Sequence, residues 1–305
     1  MCEKKMEMEF IENENFIAKF RNVGAELASF KDKFTGIEYI FPVIPEFWSK
    51  SSPVLFPLVG CAKDNRFLYN GKTYDMHIHG FANYQEFQVV EKRERYINYE
   101  LKSEGKYTEQ YPFEFILNII YQLDDNKLKV IWKVTNVNES VMYFSIGGHP
   151  AFSCPIDDNP RKDYFIQFKD VDVLDRSVLD MSCGLLYDKH EKLELPLKDS
   201  EGGCGVISIE DDMFDRDAII CENYQTSKIL LLKPDKTPYL SVNFETPVFG
   251  VWSPSGAKAP FVCIEPWYGR CDKKSFHGEI SDREWINVLQ PGETFHGGYE
   301  IEILK

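Results

Sequence analysis

The stretch Lys127-Leu128-Lys129-Val130-Ile131-Trp132-Lys133-Val134 puts Leu128, Val130, Trp132 and Val134 on one side and lysines on most of the other. Successive side chains of an extended chain point to opposite faces, so this period of two marks a strand with one buried face and one wet face. A helix would spread the same four residues around its circumference. Working outward, runs rich in β-branched and aromatic residues recur at 113–123, 143–146, 164–168, 229–232, 239–244 and 299–304. Turn signals separate them: Asn70-Gly71, Asp124-Asp125-Asn126, Asn136-Val137-Asn138 and Pro291-Gly292. Asn70-Gly71 has the form of a two-residue hairpin turn between Phe67-Leu68-Tyr69 and Lys72-Thr73-Tyr74. The pattern predicts an all-β chain, a large antiparallel β-sandwich with few short helices, whose concave face suits a small ligand. Residues 170–188 and 198–205 read as irregular surface connections.

A chain of 305 residues, 43% hydrophobic, has enough apolar surface for a large core. No Ser/Gly-rich linker or internal repeat divides it, so residues 1–305 are expected to form one domain. The net charge of −14, with lysines and arginines scattered, excludes a nucleic-acid partner. The first ten residues are charged and no later segment has the length of a membrane span, which predicts a cytoplasmic protein without a membrane partner. Eight cysteines without a Cys-x-x-Cys pair read as reduced thiols, and Cys221 and Cys263 lie in apolar runs as small core residues.

Three breaks in the strand pattern carry ionisable side chains: Gly147-Gly148-His149-Pro150, His79-Gly80-Phe81 and Glu265-Pro266-Trp267. Each reads as a strand exit, where glycine or proline interrupts the ladder and frees the side chain to enter a pocket. An imidazole exchanges protons near neutral pH, and a carboxylate after four apolar residues must be paired, solvated or shifted in pKa. Singly, either histidine suits a structural hydrogen bond, and Glu265 suits an ion pair with Arg270 or Arg66. Together the three suggest one acid/base pocket. His190, His277 and His296 read as surface loop residues. Trp267 and Tyr268 offer an aromatic platform, while Asp215 and Asp217 compete for one place at the entry of the next strand.

Other chemistries lack their motifs. There is no phosphate-binding Gly-x-x-x-x-Gly-Lys-Ser/Thr loop, no Gly-x-Gly-x-x-Gly after a strand and no Gly-x-Ser-x-Gly elbow. His77-Ile78-His79 would project two imidazoles to one face of a strand, but no third ligand stands at a telling spacing, so neither metal nor cofactor is expected.

The segments 55–60 (LFPLVG), 72–82 (KTYDMHIHGFA), 147–152 (GGHPAF), 217–219 (DAI) and 263–267 (CIEPW) resemble, in this order, the aldose 1-epimerase (galactose mutarotase-like) superfamily, and most nearly its LacX-like branch. The resemblance implies a galactose mutarotase-like supersandwich and metal-free interconversion of the α and β anomers of an unphosphorylated hexose or related sugar. By position His149 resembles the family's general acid, Glu265 its general base, His79 its second active-site histidine and Asp217 its sugar-binding aspartate. The branch carries arginines where this chain has Cys61 and Asn83, and Arg66 and Trp267 are taken as further sugar contacts. Ring opening needs a base for the anomeric hydroxyl and an acid for the ring oxygen, expected on opposite sides of the pyranose. A sugar-binding or sensing protein without catalysis remains the alternative, and a glycoside-processing protein using Glu265 and Asp217 a third reading.

Overall fold

The computed structural model describes residues 8–256 and 259–304, so Cys2 and residues 1–7 of the charged N-terminal segment lie outside the described residues. The alternating stretch forms the strand Lys127–Asn136, buried at Leu128, Val130, Trp132 and Val134. It pairs with Phe115–Asp124 on one side and Thr294–Ile303 on the other. These three lie within a nine-stranded antiparallel sheet, flanked by Tyr96–Lys102 and Gln88–Arg93 at one end. Pro238–Phe244, Lys228–Leu232, Phe165–Phe168 and Val206–Ser208 complete the other end.

A second sheet of eight strands has Phe261–Tyr268 near its centre, between Val248–Trp252 and the short strands Ile146–Gly148 and Ala151–Ser153. The two sheets pack face to face over a shared core. Trp132 of the first meets Tyr268 of the second at 6.3 Å between ring centroids, and Phe168 and Phe244 meet Phe249 at 6.0 and 5.8 Å. The sandwich was therefore legible in the two-residue period. Helical structure among the described residues is confined to four three-residue 3-10 turns, and no helix is long and apolar enough to cross a membrane.

The Asn70-Gly71 turn closes the hairpin of Arg66–Tyr69 and Lys72–Asp75, with φ of 49° and 73° at its two central residues. Positive φ at both is what a type I′ turn requires. Residues 170–188 differ from the expectation of an irregular connection: they contain the strand Val173–Asp180 and the start of Leu185–Glu194. Leu185–Glu194 is the last strand of its sheet, and Asp188-Lys189-His190-Glu191-Lys192 supplies charges that blunt an open edge. Such a strand lacks apolar alternation because it has little to bury. His190 and His296 accordingly lie on strands, exposed as expected, and not in loops. The run 143–146 is divided, ending one strand at Phe144 and beginning another at Ile146.

Candidate functional site

Along Phe261–Tyr268 the side chains alternate: Val262 and Ile264 enter the main core, and Cys263, Glu265 and Trp267 belong to the opposite, outer face of the sheet. Gly147 pairs with Trp267 and Ala151 pairs with Cys263, so the register runs unshifted through the break between the two short strands. His149, midway, is thereby placed across from Glu265. The His149 Nε2 and Glu265 Oε2 atoms are 3.1 Å apart.

Proline was expected to end the ladder and leave Glu265 at a rim. Instead the strand continues through Pro266 and Glu265 is 1% exposed. The reason lies in the seam. Ile264 donates its amide to the Pro150 carbonyl at 3.3 Å, so the donor missing two residues later, at Pro266, points to the same broken seam. The other expected partners of Glu265 are elsewhere: Arg270 is buried against Glu222 at 2.9 Å, and Arg66 is exposed.

The glycine pair has a packing role on each face. A Cβ on Gly147 would stand 2.5 Å from Trp267 Cδ1, and one on Gly250 would stand 2.8 Å from Trp267 Cη2. The indole lies between two positions that only glycine leaves open. A Cβ on Gly148, facing the core, would stand 2.7 Å from the Tyr299 ring.

His79 is not at a strand exit. It occupies a turn after Lys72–Asp75 with φ 64°, and His77 and Ile78 are exposed, so the two imidazoles do not share a strand face. Gly60 donates its amide to His79 Nδ1 at 3.2 Å, and His79 returns its own amide to the Gly60 carbonyl at 3.1 Å. An Nδ1 that accepts a hydrogen bond carries no proton, so the neutral ring keeps its proton on Nε2. The His79 and His149 rings are 5.7 Å apart, with Trp48 at 4.9 Å and Trp252 at 5.5 Å from His149.

These groups line a cavity of about 300 Å³ that also takes in Lys50, Asn83, Tyr84, Asp217 and Trp267. Asp217 has φ 66° and accepts the Ala218 amide at 2.7 Å, whereas Asp215 is exposed and held by the Ser255 hydroxyl at 2.6 Å. Of the two aspartates, Asp217 is the one that borders the cavity. Arg66 is a correction: its guanidinium is exposed beside the Asp64 carbonyl at 3.4 Å and is not part of the lining. Among the described residues the lining cation is Lys50, which donates to the Asn83 carbonyl at 3.1 Å and lies 4.6 Å over the Tyr84 ring. Trp48, Lys50 and Trp252 were missed in the sequence because nothing local distinguishes a pocket aromatic or lysine from any other.

Burial dominates the electrostatics. It pushes Glu265 well above the usual carboxylate range, with the Asp217 carboxylate adding to the rise and the Trp267 indole opposing it. Burial first and His79 second hold His149 well below the usual imidazole range, and burial pushes His79 down to about 4. Dry surroundings thus favour a neutral pair at His149 and Glu265. The same two side chains and Cys263 form a buried nitrogen, oxygen and sulfur trio with potential for metal ligation.

Comparison with known proteins gives a consistent answer. Residues 8–302 match the family model described as aldose 1-epimerase. The chain is 28% identical to the chromosomal LacX protein of Lactococcus lactis subsp. lactis, over 97% of this chain and 99% of that protein. Its structure resembles that of a galactose mutarotase related enzyme from Lactobacillus acidophilus, with TM-score 0.89, 30% identity and 98% of each chain covered. A galactose mutarotase-like protein from Lactobacillus casei is similar at TM-score 0.87 and 26% identity, covering 98% of this chain and 100% of that one.

Proposed function

Since this chain belongs to the aldose 1-epimerase family, we propose that it interconverts the α and β anomers of an aldose, with His149 and Glu265 as the proton-transferring pair. The observation that carries this reading is their 3.1 Å contact on the wall of the cavity. Adjacency replaces the arrangement expected from the sequence, in which acid and base stood on opposite sides of the ring. It suits the reaction, because the anomeric hydroxyl and the ring oxygen are bonded to the same carbon. One neighbouring pair can reach both.

With one proton shared between them, the pair is neutral overall in either distribution. In the first, Glu265 is a carboxylate and His149 an imidazolium. Glu265 takes the anomeric hydroxyl proton, His149 protonates the ring oxygen, and the C1–O5 bond breaks to give the open-chain aldehyde. The pair is then a carboxylic acid beside a neutral imidazole. That is the distribution that burial favours, so the low-polarity site stabilises the enzyme state facing the open chain. After rotation about C1–C2, closure on the other carbonyl face runs the transfers backwards.

His79, with its proton on Nε2, serves as a neutral donor to the sugar. Asp217 accepts from hydroxyls, Lys50 donates to them, and Trp267 underlies the ring's apolar face. The test is polarimetry of freshly dissolved aldoses. Glu265→Gln removes the base while retaining shape, and the expected loss is roughly 10²–10⁴-fold in kcat with native circular dichroism. Unchanged mutarotation in Glu265→Gln and in His149→Asn would overturn the roles. Sugar binding without any acceleration by the native protein would favour a sensing protein on the same fold.

A further inference from the structure

The outer face of Phe261–Tyr268 holds one ionisable group that proton transfer does not use. Cys263 precedes Glu265 by two residues, so its thiol emerges on the same face, and the register already described brings His149 across to them. The ligating atoms of His149, Cys263 and Glu265 all lie within 4.8 Å of one another, and no other such trio occurs among the described residues. Glu265 is 1% exposed and His149 9%, and apart from the 3.1 Å approach of His149 Nε2 to Glu265 Oε2, neither that oxygen nor His149 Nδ1 has a well-aligned hydrogen-bond partner. Buried polar atoms left in this condition are costly unless something satisfies them.

We propose that His149, Cys263 and Glu265 bind a thiophilic divalent cation of the zinc class, and that the bound ion excludes the sugar. The donor set selects the ion. Imidazole, thiolate and carboxylate suit Zn²⁺ or Co²⁺, whereas Ca²⁺ and Mg²⁺ require shells of six or more oxygens. Three protein ligands with a fourth position open is a common zinc arrangement. Here the fourth position faces the cavity, because His149 and Glu265 line it while Cys263 lies behind them among Phe41, Ala151 and Phe261. Tetrahedral coordination at about 2.0–2.3 Å places ligand atoms roughly 3.3–3.8 Å apart. The imidazole and carboxylate, at 3.1 Å, already stand near that spacing, and the thiol lies within 4.8 Å of both. On coordination the Cys263 thiol proton, and the Glu265 carboxyl proton where present, pass to the buffer. The ion then occupies the lone pairs that proton transfer requires, so the protein is switched off.

Exclusion of the sugar rests on the function proposed above, but metal binding does not. The experiment is therefore spectroscopic first. Co²⁺ is titrated into the metal-free protein, and the expected result is one ion per chain with the visible bands of four-coordinate cobalt and an ultraviolet thiolate charge-transfer band. Cys263→Ser is expected to abolish the thiolate band and weaken Zn²⁺ binding, measured by displacement of Co²⁺, by about 100-fold. Metal-free Cys263→Ser should keep its mutarotase activity, since Cys263 touches no reacting atom. Cys263→Ala provides the same reading if the serine variant folds poorly. In the native protein, Zn²⁺ should raise the apparent KM for the sugar and leave kcat unchanged. Cobalt bound without a thiolate band, or Zn²⁺ affinity unchanged in both Cys263 variants, would overturn the site. Tight, Cys263-dependent metal binding that leaves sugar affinity untouched would overturn the exclusion. A protein with no mutarotase activity but with Cys263-dependent cobalt bands would retain the metal site and lose only the proposed reaction.

Discussion

His79→Asn isolates the cost of keeping one imidazole neutral. The free ring titrates near 6.5, while burial in the folded protein brings His79 to about 4. The folded pKa is depressed, so between these values the unfolded chain takes up a proton that the native protein refuses. Stability is therefore retained above about pH 6.5 and lost as the pH falls toward 4, with no further loss below. Between about pH 7.5 and about pH 5 the linkage amounts to roughly 2 kcal/mol from this side chain. Asparagine is a suitable replacement because it tolerates the φ of 64° and its amide oxygen accepts the Gly60 N–H. It does not titrate. Urea denaturation of both proteins at the two pH values, followed by tryptophan fluorescence, should show the native protein losing roughly 2 kcal/mol more than the variant. The contribution of His149 has the same sign but is present in both and largely cancels. Equal losses would refute the claim that the native fold holds His79 neutral.

Lys50→Met should raise KM for sugar by roughly tenfold with kcat little changed, as expected for a half-buried charged donor that contacts ground state and transition state alike. Arg66→Ala should leave polarimetric kcat/KM within about twofold of native, since surface substitutions away from the site have small effects. Gly250→Ala places a methyl 2.8 Å from the Trp267 ring and should tilt the indole into the cavity, raising KM and reducing thermal stability by about 1–3 kcal/mol.

The sandwich was readable because alternation is local: Leu128 through Val134 declare their two faces without knowledge of any partner. The break at Gly147-Gly148-His149-Pro150 was readable as local punctuation, but the other two were not breaks: the strand runs on through Pro266, and His79 lies in a turn beyond its strand. Pairing is not local. Nothing in either segment states that His149 lies across from Glu265, which is why a rim and two opposed sides were expected where the protein has a buried neighbouring pair. Leu185–Glu194 was missed because an edge strand guarded by charge does not alternate. Arg66 was taken as a sugar contact in place of the arginines absent at Cys61 and Asn83, but the hairpin it begins carries it to the surface. Lys50 reaches the cavity from a loop whose path depends on the packing of Trp48 against His149 and Phe261.

The unshifted register through the broken seam has a consequence for how such a protein changes its substrate. The spacing of the pair proposed to transfer protons is set by the backbone pairing on either side of it, not by the surrounding loops. A one-residue slip of the short strands would turn His149 away from Glu265, so the proposed chemistry would be inherited whole or lost whole. The groups that would touch the rest of the sugar arrive mainly on connections: Trp48 and Lys50, His79 to Tyr84, and Asp217. Those segments can be exchanged piece by piece. On the proposed function the sheet would hold the reactive unit and the loops the recognition surface, so grafting the loops of one sugar specialist onto this sheet should transfer selectivity while preserving the chemical step.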